Sequence, residues 1–226
     1  LLFRQNRLLK NLKFILVLFI IIIIAAGHIT LNAQITTVFS DNFNRASLTP
    51  GGTPSMTYST VVTAGDGGAS INGSNFLQIT NDNSGAANAL GMTFITGPLS
   101  TYASPFINTL ASNDGVIEWT FNMRYGRTTA PSGFDGGNYG IAAVLAASSS
   151  DLTTANGYAI VYGGTETTKR YKLVSFNNGL DLNSNITDII SNTSSAPANF
   201  NNYVSLRVRY NPSTNEWSMY FRDDGS

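Results

Sequence analysis

The chain contains no cysteine and only one histidine, His28, among its 226 residues. Without cysteine it can form no disulfide, no thiol nucleophile and no cysteine-ligated zinc site. His28 lies in the N-terminal segment that we expect to be removed, so the rest of the chain is also without histidine. This excludes a histidine-dependent serine triad and a histidine-ligated metal. Its chemistry must come from carboxylates, hydroxyls, amides, arginines and aromatic rings.

Charged residues are scarce as well, at 12% of the chain, while hydrophobic residues reach 42%. This composition indicates a packed globular protein and not a disordered one. The 13 basic and 13 acidic residues balance over the whole chain, but four of the basic residues lie before residue 14. From residue 34 onward the chain is net negative and has no basic stripe, which argues against a nucleic-acid partner.

The N-terminus has the pattern of a secretory signal peptide, with four basic residues before an apolar run over residues 14–26. We expect residues 1–33 to be a signal helix that is cleaved after Ala33. The alternative is an uncleaved anchor, because residues 14–31 approach the shortest length that spans a membrane. Both interpretations predict export to the extracellular space or cell surface, and cleavage would leave no membrane contact.

The remainder, residues 34–226, reads as an all-β protein. Runs rich in Val, Ile, Thr, Tyr and Phe alternate with turn residues, a pattern typical of an antiparallel two-sheet β-sandwich. The predicted strands are 37–43, 56–62, 75–80, 90–95, 115–125, 138–147, 157–162, 170–176, 203–210 and 216–222. Residues 188–191 are predicted to form a short helical turn. Because the chain ends just after a strand-like segment, we expect this domain to be truncated at its C-terminus and followed by further domains.

Three of these strands, 116–125, 203–210 and 216–222, alternate apolar and polar side chains, so each should have one core face and one solvent face. The last two should form a hairpin with Tyr210 opposite Trp217, because a one-residue slip would expose Trp217. The same register places Val208 opposite Met219. Both Trp119 and Trp217 fall on core faces, which favours packing over sugar binding.

Four segments resemble laminin-G-like domains of the concanavalin A-like lectin/glucanase superfamily, and more narrowly the N-terminal domains of large secreted Bacteroidota proteins. They are residues 39–45 (FSDNFNR), 116–124 (VIEWTFNMR), 156–162 (NGYAIVY) and 206–210 (LRVRY). The resemblance implies a jelly-roll connectivity. The superfamily also includes glycoside hydrolases, whose catalytic strand carries carboxylates at three alternate positions.

Only one of those three carboxylates is present here, since the matching positions are Glu118, Thr120 and Asn122. Two-carboxylate glycoside hydrolysis needs a second acid about 5–9.5 Å away. Glu216 on another strand is the one candidate, and a lone glutamate beside arginines more often forms an ion pair. We therefore expect no enzymatic activity.

Two surfaces are candidate glycan sites. The first is the polar sheet face, formed by Glu118, Asn122, Arg124, Arg207, Arg209, Tyr220 and Arg222. It could bind a glycan or an acidic polymer, or it could be an ordinary solvated face whose glutamates offset its arginines. The second is a loop with Arg124, Arg127, Phe134, Asp135, Asn138 and Tyr139, where Asp and Asn could bind sugar hydroxyls and the rings could stack. The alternative is a hairpin loop whose aromatics only cap the core.

Calcium is a further possibility, because relatives of the laminin-G type often hold one Ca²⁺. Asp41, Asp82 and Asp114 supply hard oxygen ligands in Asx-rich segments. None of these segments has EF-hand spacing, and such clusters are usually turns.

The sequence thus predicts a secreted, non-catalytic carbohydrate-binding or adhesive module, with an extracellular polysaccharide or cell-surface glycan as partner. The alternatives are a structural spacer without ligand and, third, a glycoside hydrolase-related enzyme.

Overall fold

The computed structural model describes part of the chain. The described residues are 35–63, 67–81, 93–97, 102, 104–107, 109–131, 133–134, 139–164, 170–180, 182–191 and 200–225. They lie almost entirely in one compact unit, Val38–Ser226. The predicted signal peptide, together with Asp82, Asp135 and Asn138, falls outside them. None of the helices within the described residues has the length and apolarity to cross a membrane.

The described residues form short 3-10 helices and a set of antiparallel strands. In chain order the strands are β1 Ser59–Val62, β2 Gly68–Ile71, β3 Leu77–Thr80, β4 Thr93–Thr96, β5 Ile117–Arg124, β6 Ile141–Ala147, β7 Gly157–Gly163, β8 Arg170–Phe176, β9 Ile186–Ser191, β10 Tyr203–Asn211 and β11 Glu216–Gly225. The 3-10 helices are Leu110–Ser112 and Asn183–Asn185. The all-β prediction is confirmed, while the jelly-roll connectivity stays a prediction.

The strands form two main sheets and two small ones. We call the sheet with strand order β11-β10-β5 the outer sheet, and the sheet with order β6-β7-β8-β9 the inner sheet. Two-stranded ladders join β1 to β4 and β2 to β3. The outer and inner sheets share one core, in which Met123 and Leu206 of the outer sheet pack with Ile160 and Leu173 of the inner sheet.

The outer sheet is buried on one face only, as its alternating sequence predicts. Along β10, Val204, Leu206, Val208 and Tyr210 are buried, and the intervening side chains point away from the core. Residue Tyr210 pairs with Trp217 and Val208 with Met219, so the predicted hairpin register is confirmed. This register fixes which polar side chains become neighbours on the open face.

The central strands of the inner sheet, β7 and β8, are buried on both faces. Adjacent residues of β7, such as Ile160 and Val161, point to opposite sides and are both fully buried. Ile160 joins the core shared with the outer sheet, whereas Val161 packs into a second cluster with Phe94 of β4 and Leu152. Burial on both faces explains why β7, with the sequence GYAIVYG, is a near-continuous apolar run.

Three strand predictions are wrong. Residues 37–43 contain only the isolated bridge Ser40–Thr53, because the Asp41 carboxylate accepts the Phe43 N–H at 2.8 Å and Phe43 turns to φ 53°. The Gly- and Ser-containing β2 lacks a strong β signal and was not predicted. The helical turn at 188–191 is instead the end of β9, where β-branched residues pair with β8.

Candidate functional site

The candidate site is the solvent-facing side of the outer sheet, which we call the outer face. Its side chains come from alternate positions of β5, β10 and β11. They are Glu118, Thr120, Asn122, Arg124, Tyr203, Ser205, Arg207, Arg209, Glu216, Ser218, Tyr220 and Arg222. Every residue of the predicted polar sheet face is therefore brought together by the β5–β10–β11 register.

At one end of this face, Arg209 forms an ion pair with Glu118. The residues are directly opposite in the β10–β5 ladder, and Arg209 Nε lies 3.3 Å from Glu118 Oε2. Both side chains are nearly half exposed, at 45% and 42%, so the pair adds at most about 1 kcal/mol to stability. Its main consequence for binding is that the positive charge of Arg209 is offset.

Arg222 is also neutralised within the face. Its Nε lies 2.6 Å from Asp224 Oδ1, and Ser205 Oγ donates to the same carboxylate. The hydrogen bond from Ser205 and then that from Arg222 hold the pKa of Asp224 below its usual value. Ser205 Oγ also lies 3.0 Å from Asn122 Oδ1, which links β5, β10 and β11 on this face.

Arg207, in the middle of the face, is paired with an aromatic ring. It lies opposite Thr120 on β5 and Tyr220 on β11, and its guanidinium carbon is 4.6 Å from the centre of the Tyr220 ring. Within the described residues no carboxylate lies within ion-pair distance of Arg207. The Tyr220 side chain is 49% exposed, the largest exposure among the aromatic residues described.

A second arginine–tyrosine pair lies toward the start of β10. Arg124 stacks on Tyr203 at 4.8 Å, and its Nε donates to the Asn201 carbonyl at 3.0 Å. Phe76 also contacts Tyr203, with ring centres 5.5 Å apart, and is 45% exposed. Sequence reasoning missed Tyr203 and Phe76. Tyr203 shares the parity of Arg207 and could have been found, but nothing in the sequence ties Phe76 to it.

A shallow cleft of about 370 Å³ opens at the hairpin end of the face. It is lined by Val116, Arg209, Asn211, Glu216, Trp217 and Ser218. Glu216 accepts a hydrogen bond from Thr214 Oγ1 at 2.9 Å. Polar groups of both charges therefore surround a space next to the exposed sheet face, which suits hydroxyl-rich ligands.

The tryptophans have the packing role that their strand positions predict. Trp119 and Trp217 stack at 5.9 Å, and Trp217 also contacts Tyr158 and Tyr210. Both pack against the shared core while remaining partly exposed. Trp217 thus supports the hairpin from below, although its edge reaches the cleft.

Only part of the predicted loop site lies within the described residues, and the side chains described there already contact other parts of the protein. The Arg127 guanidinium lies 3.8 Å from the centre of the Tyr139 ring, and its Nη1 donates to the Asn81 carbonyl at 3.2 Å. Phe134 is half buried and packs against the second core cluster. A ring held in this way is a core cap and not an open stacking platform. Arg124, predicted for both sites, lies on the outer face.

Of the predicted calcium ligands, Asp41 is committed to protein donors. Its carboxylate, only 4% exposed, is contacted by Arg45 at 2.6 Å, by the Phe43 N–H and by the Tyr58 hydroxyl at 2.9 Å. Burial alone would raise the pKa of Asp41, but these hydrogen bonds outweigh it and lower that pKa. Asp114 is exposed, and the described parts of the chain contain no cluster of acidic or histidine side chains able to hold a metal ion.

The two carboxylates considered for hydrolysis lie on different edges of the outer sheet. Glu118 is on β5 and Glu216 on β11, with β10 and the Arg209 side chain between them. Two strand spacings and an offset of two residues separate their backbones by roughly 12 Å. Each carboxylate also contacts a different side chain, Arg209 for Glu118 and Thr214 for Glu216.

Comparisons with protein-family models, with curated proteins and with solved structures found no match to the chain. The resemblance to laminin-G-like domains therefore stays a prediction.

Proposed function

We propose that the chain is an exported, non-catalytic carbohydrate-binding module of a larger protein, and that it binds polysaccharide on the outer face. The observation that carries this proposal is the exposed Tyr220 ring on the edge strand β11 of a polar sheet face, beside an arginine and near a cleft. Sugar rings pack their C–H faces on aromatic rings, while their hydroxyls exchange hydrogen bonds with arginine, amide and carboxylate groups.

The position of the face on regular strands supports a preformed site. Tyr220, Arg207 and Arg209 project from strands paired on both sides or closed by a hairpin, and the core packs directly beneath them. Side chains fixed to rigid elements need little ordering when a ligand binds, which favours affinity from shallow contacts.

Binding without hydrolysis is favoured by the arrangement of the acids. Glu118 is held by Arg209, and Glu216 lies on the far strand. The Glu216 carboxylate accepts a hydrogen bond from Thr214 Oγ1. The outer face therefore has the groups to hold a glycan, while each of its two glutamates contacts a neighbouring side chain that is not an acid.

A structural spacer is the second candidate. It is favoured by the Arg209–Glu118 and Arg222–Asp224 pairs, which would also form on a sheet face that only meets solvent. The two candidates differ in one respect, because only a binding face requires the exposed ring of Tyr220.

A screen of the full chain on a polysaccharide and glycan array tests the proposal. We expect retention on at least one polysaccharide class, loss of retention in Tyr220→Ala and partial retention in Tyr220→Phe, which keeps the ring. Ile189→Ala is the matched control, because Ile189 is an exposed β9 residue of the inner sheet. A correctly folded chain that is retained on no glycan would favour the spacer and refute the proposal.

A further inference from the structure

The arginines of the outer face differ in their binding partners. Arg209 and Arg222 each face a carboxylate, and Arg124 donates to a backbone carbonyl and a tyrosine hydroxyl. Arg207 lies between them with a tyrosine ring as its partner and, within the described part of the chain, no oxygen acceptor. A guanidinium carries five N–H donors, so this side chain retains most of its capacity to bind an anion.

We infer that the polysaccharide bound by the outer face is anionic, and that Arg207 binds its carboxylate or sulfate group while Tyr220 stacks on the same sugar ring. The inference rests on the proposed function and names the class of ligand. It follows from the charge of Arg207 and its position over the Tyr220 ring. A guanidinium held next to an aromatic ring can bind the anionic group of a sugar that packs against the same ring.

The surroundings of Arg207 favour specific recognition over general attraction of polyanions. The flanking arginines are offset by Glu118 and Asp224, and Glu216 carries a further negative charge at the cleft. A ligand with unbroken high charge density would meet these carboxylates and be repelled. Within the described residues, Arg207 in the middle of the face and Arg124 toward the start of β10 both lack a carboxylate partner, since Arg124 donates only to neutral groups. Separated positive charges of this kind match a polymer with charges spaced along its chain.

The second arginine–tyrosine pair favours a polymer over a single sugar. Tyr203 and Arg207 lie four residues apart on the same side of β10, which places them roughly 13 Å apart along the strand. Arg124 on Tyr203 and Arg207 on Tyr220 therefore form two aromatic positions along one direction of the face. A chain of several sugar residues can contact both, whereas a monosaccharide can contact only one.

The test measures the affinity of the full chain for polygalacturonate, dextran sulfate and neutral dextran. We expect tighter binding to at least one of the two anionic polymers than to neutral dextran. The polygalacturonate and dextran sulfate arms distinguish a carboxylate from a sulfate as the recognised group. Arg207→Gln should weaken the anionic interaction by roughly tenfold to a hundredfold, the range for a lost charge-assisted hydrogen bond, and Arg207→Lys should restore part of it.

Arg170→Gln is the matched control, because it removes one positive charge at the first residue of β8, in the inner sheet and not on the outer face. We expect it to change affinity by less than about threefold, because charges far from the bound anion are screened. Equal losses in Arg207→Gln and Arg170→Gln would show nonspecific charge attraction and overturn the inference.

Failure of the inference is distinguishable from failure of the proposed function. The anionic class would be overturned if the chain bound neutral dextran as tightly as both anionic polymers, and if this binding were unchanged in Arg207→Gln but lost in Tyr220→Ala. The carbohydrate-binding face would then still stand. Absence of binding to every polymer, with an empty glycan array, would overturn both. Thermal unfolding of each variant confirms that the exposed substitutions leave the fold unchanged.

Discussion

Replacing Tyr171 by Phe should stabilise the protein. Tyr171 is fully buried on β8, stacked on Tyr162 with ring centres 4.2 Å apart and planes at 3°. Its hydroxyl has no hydrogen-bond partner within the described residues. Burial, with a smaller contribution from Tyr162 and Asp223, raises the pKa of Tyr171, so the group is protonated at neutral pH. The substitution removes only the hydroxyl and keeps the ring contacts.

The size of the effect follows from desolvation. A buried polar group without a hydrogen-bond partner lowers the free energy of unfolding by about 1–3 kcal/mol. Deleting the hydroxyl oxygen also leaves a small cavity, which reduces the stabilisation. We expect a net increase of about 1 kcal/mol in the free energy of unfolding. For a domain of this size that corresponds to a rise of about 2–4 °C in the melting temperature.

Denaturant unfolding of the full chain measures the difference, provided that the m-value is unchanged. Tyr210→Phe is the matched control, because the buried Tyr210 hydroxyl lies 3.1 Å from Asn215 Oδ1 in the β10–β11 hairpin. We expect that variant to lose about 0.5–1.5 kcal/mol. If Tyr171→Phe is destabilised as much as Tyr210→Phe, the Tyr171 hydroxyl has a partner and the reasoning is refuted.

The remaining predictions concern the Asp41–Arg45 network. Because the pKa of Asp41 is lowered in the fold, its contribution to stability is present above the unfolded pKa of about 3.9 and is lost as pH falls through the folded value. Asp41→Asn should thus be destabilised at neutral pH, and its difference from the unmodified chain should shrink in acid titrations of unfolding; a constant difference would contradict this. Gly51→Ala should cost roughly 1–3 kcal/mol, because a Cβ there would overlap the Arg45 guanidinium, which cannot move without breaking its ion pair with the buried Asp41 carboxylate. Gly115→Ala, where a Cβ meets no atom within 4 Å, should be nearly neutral, and equal denaturation midpoints for the two variants would refute the packing argument.

The sequence was most informative in strands whose apolar and polar residues alternate with a period of two. In β5, β10 and β11 the alternation of side chains predicted both the buried face and the pairing of Tyr210 with Trp217. It was misleading at residues 37–43, where a polar side chain decides the conformation. Asp41 satisfies the Phe43 N–H and the Arg45 guanidinium, so the backbone turns and does not pair as a strand.

The candidate site was predictable to a similar extent. Strand parity places Arg207 and Tyr220 on one face. The Arg209–Glu118 pair is what the alternative of a solvated face, whose glutamates offset its arginines, also predicts. Arg207 has no carboxylate partner among the described residues because the nearby carboxylates pair with Arg209 and Arg222 instead. The composition of the chain cannot predict which arginine each carboxylate pairs with. The contact of Phe76 with Tyr203 joins distant segments and required the tertiary structure.

The central claim, that polysaccharide binds to the outer face, is tested most directly by amide chemical-shift mapping of the full chain during titration with oligosaccharides of each class on the array, neutral, carboxylated and sulfated. We predict shifts concentrated in β10 and β11, strongest around Arg207 and Tyr220 and weak in β7 and β8. Saturable shifts confined to residues 126–140, or no shifts from a folded chain at any oligosaccharide concentration, would contradict the claim.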